Sequence, residues 1–144
     1  STHQNAANVL DAATDTGWFD LAMIAITPGG WYDWDDKSIL SGSPTLKKLQ
    51  PALNKAKEAG IGLVGMKAGR FIAGRDWLGW GNPDAFDKYY DEKLLKAKLS
   101  AFQRSYAFVL ENGLDVVNAD MQNLLHLKEN FVAAATSSDY FDVA

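Results

Sequence analysis

Several features that a chain of 144 residues usually contains are scarce or missing here. Cysteine is absent, which excludes disulfides, thiolate metal sites and cysteine nucleophiles. The net charge is −4 and the Lys and Arg residues are scattered, so we expect no nucleic-acid surface and no anionic-membrane surface. No apolar run approaches the roughly 20 residues of a membrane span. With a polar start and no signal peptide, we expect a soluble protein; the compartment stays open, because a chain without cysteine tolerates either redox state, with the cytoplasm favoured.

Tryptophan is the residue in excess, with five among 144 residues. Four of them lie in Gly- and Asp-rich stretches, namely Trp31, Trp34, Trp77 and Trp80. We expect loop aromatics, which either form a wall for a substrate or cover an otherwise open end of a sheet. The acidic residues Asp33, Asp35 and Asp36 suggest a metal site or a solvated acidic loop. Nothing else has ligand spacing, so we favour the solvated loop and expect no metal.

Apolar patterning alternates between helix and strand along what we expect to be a single domain, residues 1–144. Three continuous apolar runs are typical of strands in a parallel sheet: Phe19–Thr27, Ile61–Met66 and Leu114–Ala119. Amphipathic helices are predicted over about 5–16, 43–60, 92–111 and 123–135, with a kink or restart at Pro51. Residues 136–144 are predicted to be a partly ordered tail. The alternation predicts an α/β fold with parallel βα units.

Two architectures fit this alternation: an open doubly wound sheet of three strands, and part of a (β/α)8 barrel. A thin open sheet has two exposed edges, which invite aggregation. A whole barrel needs about 250 residues. The length and the pattern together favour about half of a barrel.

Three segments resemble the carboxy-terminal half of the aldo/keto reductases, and they occur in the family's order. STHQNAANVLDAATDTGWFDLAMIAIT is similar to the stretch from the end of strand five through strand six. EAGIGLVGMKAGR is similar to strand seven, and LDVVNADMQNLLHLKEN to strand eight with the following helix. The resemblance implies the C-terminal half of a TIM (β/α)8 barrel. It also implies a parent protein that is an NAD(P)-dependent oxidoreductase of carbonyls and alcohols.

In that family this half of the barrel supplies the nucleotide cleft. The resemblance places six residues at cofactor-binding positions: Ser1, Met66, Lys67, His126, Glu129 and Asn130. Ser1 stands at the position that holds the nicotinamide amide. Met66 replaces the aromatic residue that stacks on nicotinamide, and Lys67 replaces a Ser. His126 replaces an Arg that meets the 2′-phosphate, whereas Glu129 and Asn130 match the adenine contacts.

Two positions carry a physical argument beside the resemblance. Lys67 follows a strand, where barrel enzymes keep reacting groups and phosphate ligands, although a solvated or ion-paired lysine fits equally. Asp120 stands where the family has a Lys for the 2′-phosphate. A carboxylate there repels the phosphate, so we expect NADP to bind poorly and NAD to be less penalised, with either bound weakly.

The family's catalytic Asp, Tyr, Lys and His come from the amino-terminal half of the barrel. The resemblance therefore implies no catalytic residue in this sequence, and we expect the chain alone to be inactive. Two function classes stay open: half of an oxidoreductase acting on a small carbonyl substrate, and a cofactor-less relative acting as a binding or structural domain. Half a barrel exposes the inner face of its sheet. We expect that face to be covered by the missing half or by a second copy in a homodimer.

Overall fold

The computed structural model describes residues 5–31, 46–73, 81–119, 121 and 123–141. Its elements follow in chain order: α1 (Ala6–Thr16), β1 (Leu21–Thr27), β2 (Gly30–Trp31), α2 (Leu46–Glu58), β3 (Gly62–Met66), α3 (Arg70–Ala73), a 3-10 turn (Asp87–Tyr89), α4 (Glu92–Lys96), α5 (Ala101–Glu111), β4 (Val116–Asn118) and α6 (Leu124–Phe141). Within these ranges, no helix has the length and apolar character that a bilayer crossing requires.

The three predicted strands form one parallel sheet in chain order, which confirms the mixed α/β class. Met23 of β1 lies beside Val64 of β3, and Val64 lies beside Val116 of β4. The sequence analysis missed β2, a two-residue strand that pairs antiparallel with β1. The hydroxyl of Thr27 closes this hairpin by donating to the carbonyl of Gly30 (3.2 Å). The strand order is therefore β2-β1-β3-β4.

Helices cover one face of this sheet and form the main core with it. Ile24 and Ile26 of β1 and Leu63 of β3 are fully buried there. The helices and the loop before β4 contribute Leu10, Leu49, Leu53, Ala56, Val109 and Leu114. A Cβ on Gly65 would lie 3.2 Å from side-chain carbons of Ile26 and Val109. Because glycine lacks that atom, β3 and α5 can approach closely.

The opposite face of the sheet is largely open. Leu21, Met23, Val64 and Val116 share it, since their Cα atoms are neighbours in the register or two residues apart on one strand. Leu21 is 58% exposed and Val116 is 54% exposed. Toward the carboxyl ends of the strands this face is covered, because Ala25 and Met66 are buried and pack with Phe71.

The predicted long helix over 92–111 is wrong, because two helices occupy this range. Ala97 is extended (φ −63°, ψ 141°) at the end of α4, and Ser100 begins α5. The Ser100 hydroxyl accepts from the backbone N–H of Gln103 (3.3 Å), and the Gln103 side chain accepts from the N–H of Ser100 (2.8 Å). This reciprocal capping box satisfies two N–H groups that a helix start leaves unpaired. Leu95 lies on the short helix α4 and is partly exposed.

Two other helices differ from the prediction in a simpler way. α2 continues through Pro51, so the predicted restart does not occur. α6 continues to Phe141 and thus enters the segment predicted as a tail. The side of α6 away from the core carries exposed apolar residues, among them Leu124, Leu125 and Phe131.

Asp115 joins the start of β4 to β3 and α2. Its carboxylate accepts from the backbone N–H of Leu63 (2.8 Å) and pairs with the ammonium of Lys57 (3.0 Å). The Leu63 hydrogen bond, aided by Lys57, lowers the pKa of Asp115 and outweighs the opposing effect of burial. A carboxylate with a lowered pKa stabilises the fold while it is ionised.

We expect this contribution to be present above the unfolded-state pKa of about 3.9 and to vanish as the pH falls through the lower folded-state value. Since the side chain is about half exposed, solvent screening limits the contribution to less than about 1 kcal/mol. Urea unfolding of the wild type and of Asp115→Asn between pH 3 and 7 is the measurement. The two curves should converge as the pH drops below about 4. A constant gap for Asp115→Asn over the whole range would contradict the assignment.

Candidate functional site

The carboxyl ends of β3 and β4 open into a cleft of about 370 Å³. Met66 and Lys67, both predicted as site residues, line it together with the segment that leads into α3. The remaining lining residues come from α3, α5 and the end of β4: Ala68, Gly69, Arg70, Ala73, Phe102, Tyr106, Asn118 and Ala119. Ligands of parallel α/β sheets bind at this end of the strands, so the cleft is the candidate site.

Lys67 occupies a conformation that is unusual for its residue type. It directly follows β3 and has a φ of 69°, in the left-handed region that L-residues seldom adopt. Its carbonyl accepts from the N–H of Arg70 (3.0 Å), which closes the turn into α3. Burial lowers the pKa of the Lys67 ammonium, and the charge of Arg70 lowers it further. The turn thus brings two cationic side chains to one cleft.

The turn is held against α5 by a hydrogen bond and by close packing. The buried hydroxyl of Ser105 donates to the carbonyl of Ala68 (2.8 Å). A Cβ on Gly69 would lie 2.8 Å from the ring of Phe102 and 3.0 Å from the hydroxyl of Tyr106. The backbone at Gly69 therefore rests directly on two aromatic side chains, and this approach is open to glycine alone.

β4 forms the second wall of the cleft. Asn118 lies beside Met66 in the register and is exposed, so its amide is available to a ligand. Ala119 follows it and also lines the cleft. Asp120, which the sequence analysis set against the 2′-phosphate, lies outside the described residues.

None of the three predicted residues of α6 lines the cleft. The ring centroid of His126 is 5.2 Å from that of Phe102, which does line the cleft. Its backbone N–H donates to Asn123 (2.9 Å), and its buried Nδ1 has no partner among the described residues. The carbonyl of Glu129 accepts from the side chain of Gln103 (3.0 Å). Asn130 lines a separate groove beside β4 instead of the cleft.

Most of the tryptophans predicted to lie in loops are outside the described ranges. Trp31 belongs to β2 by its backbone, whereas Ser1, Trp34, Trp77 and Trp80 lie outside. The turn between β1 and β2, just before Trp31, packs against another part of the chain. A Cβ on Gly29 would lie 3.2 Å from the ring of Tyr89. The β1–β2 turn thus rests on the 3-10 turn at the same end of the sheet.

Sequence reasoning missed part of the cleft. Phe102, Ser105, Tyr106 and Asn118 were not among the residues predicted to form a site. The sequence carried one signal, Gly69 in GMKAGR. A glycine shortly after a strand indicates that another part of the protein approaches the backbone closely at that position. The identity of that neighbour requires the packing of α5.

Two cations, an amide and aromatic ring edges favour an anionic ligand that also carries a planar group. Among the described residues no three His, Asp or Glu side chains gather in a way that suits a metal ion. No protein-family model, no curated protein and no solved structure matches the chain.

Proposed function

We propose that the chain is the C-terminal half of an aldo/keto reductase-like barrel and that its cleft binds the phosphate-bearing part of a nicotinamide nucleotide. The observation that carries this proposal is the convergence of Lys67, Arg70 and Asn118 at the carboxyl ends of neighbouring parallel strands. Phosphate groups are recognised by such cations and by backbone amides at these strand ends. A small carbonyl compound is the substrate class of the parent oxidoreductase.

The residues of the cleft suit one part of the nucleotide better than another. Two positive charges complement a pyrophosphate, and about 370 Å³ is the size of a compact ligand site. The nicotinamide ring would be bound less well. In the family an aromatic side chain stacks on nicotinamide at this position, whereas Met66 is buried against Ala25 and Phe71. The bound nucleotide would supply or accept the hydride. The residues of this half would hold and orient it, with affinity drawn mainly from the phosphates.

The choice between NAD and NADP rests on Asp120, by the sequence alignment with the family. Two unit charges about 4 Å apart interact by about 1 kcal/mol in water and by about 4 kcal/mol at an effective dielectric near 20. Repulsion from a carboxylate, together with loss of the family's Lys, penalises the 2′-phosphate of NADP alone. NAD carries no such phosphate and escapes this penalty.

Titration of the purified chain with NADH and with NADPH should therefore show weak binding that favours NADH by about tenfold or more. Isothermal calorimetry gives the affinities, and tryptophan fluorescence gives a second readout. Lys67→Met should weaken NADH binding about tenfold, because it removes one charge-assisted contact with the phosphates. Lys48→Met on the exposed side of α2 is the matched control and should leave the affinity unchanged.

A further variant separates the two parts of the proposal. Asp120→Lys should improve NADPH affinity and leave NADH affinity nearly unchanged. Tighter binding of NADPH than of NADH by the wild type would contradict the alignment at Asp120. Failure of both nucleotides to bind at millimolar concentration would contradict the cofactor site. It would favour the alternative function, a cofactor-less relative that acts as a binding or structural domain.

A further inference from the structure

The open face of the sheet continues into a groove that adjoins the cleft, since Tyr106, Asn118 and Ala119 line both. This groove has a volume of about 750 Å³ and is mainly apolar. It is lined by residues of the open sheet face, of the segment after β4 and of α6: Met23, Val64, Val116, Met121, Leu127 and Phe131. Met121 is 59% exposed and Phe131 is 70% exposed, so large apolar side chains stand at its rim.

Among the described residues that line the groove, Asp115 is the one that carries a charge, and Lys57 compensates that charge at 3.0 Å. The chain as a whole carries −4, so contact between two copies through a charged surface would be opposed by repulsion. Contact through this face would not be opposed by charge repulsion, because the described side chains that each copy presents there are mainly neutral and apolar.

The exposed area also matches what a dimer needs. A large apolar side chain offers on the order of 150 Å². Leu21, Val116, Met121 and Phe131 are each more than half exposed, which leaves roughly 350 Å² of apolar surface. A standard interface buries about 800 Å² per partner, of which a little over half is apolar. The open face and the rim of the groove together thus supply most of the apolar share of such an interface.

We propose that the open sheet face and its groove form an isologous interface with a second copy of the chain. Each copy presents the same groove and the same rim, so a two-fold axis lets Phe131 of one copy enter the groove of the other. β4 is the terminal strand of the described sheet, so the face can be approached from that side. The interface borders the cleft at the strand ends, where Asn118 and Ala119 line both, but this proposal does not depend on nucleotide binding.

Light scattering over a range of concentrations tests the proposal. We expect a species of twice the chain mass of 15.8 kDa at micromolar concentration, with dissociation on dilution. Val116→Asp should raise the dimer dissociation constant about a hundredfold or more, because it places a charge in the apolar interface of both copies. Val9→Asp changes an exposed valine of α1, on the helix-covered side of the sheet, and should leave the dimer intact. Circular dichroism verifies that both variants fold, and Phe131→Asp replaces Val116→Asp if the latter does not.

The lack of cysteine allows a second measurement with milder substitutions. Val116→Cys and Val9→Cys each introduce the only thiol of the chain. A bulky thiol reagent should modify Cys at 116 slowly at high protein concentration and rapidly on dilution, whereas the rate at position 9 should not depend on concentration. A monomer at all concentrations would overturn the proposal, because a second copy would then not cover the open face. A dimer that survives both Val116→Asp and Phe131→Asp overturns it by placing the interface elsewhere.

Discussion

Replacement of Leu53 by alanine is expected to lower the free energy of unfolding by about 3 kcal/mol. Leu53 lies in α2 and is fully buried in the core between the helices and the sheet. Truncation of a buried leucine removes the transfer free energy of its methyl groups and leaves a cavity that the neighbours fill only in part. A domain of this size has a total stability of about 5–15 kcal/mol, so the loss would be plain in a urea titration.

Leu95→Ala is the matched control for this prediction. The same substitution at Leu95 removes a side chain that is 39% exposed on α4, so its cost should stay below about 1 kcal/mol. Chemical unfolding followed by circular dichroism gives both values, and an unchanged m-value verifies the same unfolding reaction. Equal losses for the two variants would show that α2 does not pack on the sheet as described.

We expect the purified chain to give no sustained reduction of a reactive aldehyde with NADH or with NADPH. Protonation of the developing alkoxide by a placed acid contributes about 10²–10⁴ to the rate. By the family resemblance, the residues that supply this proton lie in the amino-terminal half of the barrel. Tyr90 does not replace them, because it belongs to a small separate core and burial raises the pKa of its hydroxyl above its ordinary value.

A turnover assay that follows nucleotide absorbance is the measurement. Lys67→Ala serves as the control, since it alters the cleft and should give the same background rate. Sustained turnover by the wild type above that control would refute the expectation that the chain alone is inactive. It would direct attention to Tyr106, which lines the cleft beside Lys67.

The strands could be predicted from the sequence, because runs such as FDLAMIAIT and IGLVGM combine apolar character with a glycine or proline boundary. All three were placed within two residues at each end, and their parallel order followed from the intervening helices. Unalternating apolar runs indicate burial on both faces of a sheet. In the structure Leu21 and Val116 are more than half exposed on one face, so the pattern overstates how far the described chain covers its own sheet.

The break between α4 and α5 was missed because apolar spacing continues across it. Leu95, Leu99 and Phe102 keep a helical period, so pattern alone favours one helix. The competing signal was local: Ser100 followed three residues later by Gln103 is a capping box. β2 was missed for a different reason. It is two residues long and depends on the Thr27–Gly30 hydrogen bond rather than on any hydrophobic pattern.

The candidate site was predictable to the extent that it follows a strand. Met66 and Lys67 were placed at the end of β3, and the structure brings them into one cleft with Arg70. The position of Asn118 in the cleft depends on the register of β4, and the positions of Phe102 and Tyr106 depend on the packing of α5. These contacts join residues more than 35 positions apart. No local pattern encodes such distances.

Mapping of the backbone amide resonances during titration with NADH tests whether the strand-end cleft binds the nucleotide. We expect shifts that concentrate on residues 67–70 and 118–119, together with the side-chain amide of Asn118. Amides of α1 and α2 should remain unmoved, and Lys67→Met should reduce every shift at a given NADH concentration. Shifts confined to the groove around Val116 and Phe131, or no shifts at millimolar NADH, would contradict the claim that the strand-end cleft binds the nucleotide.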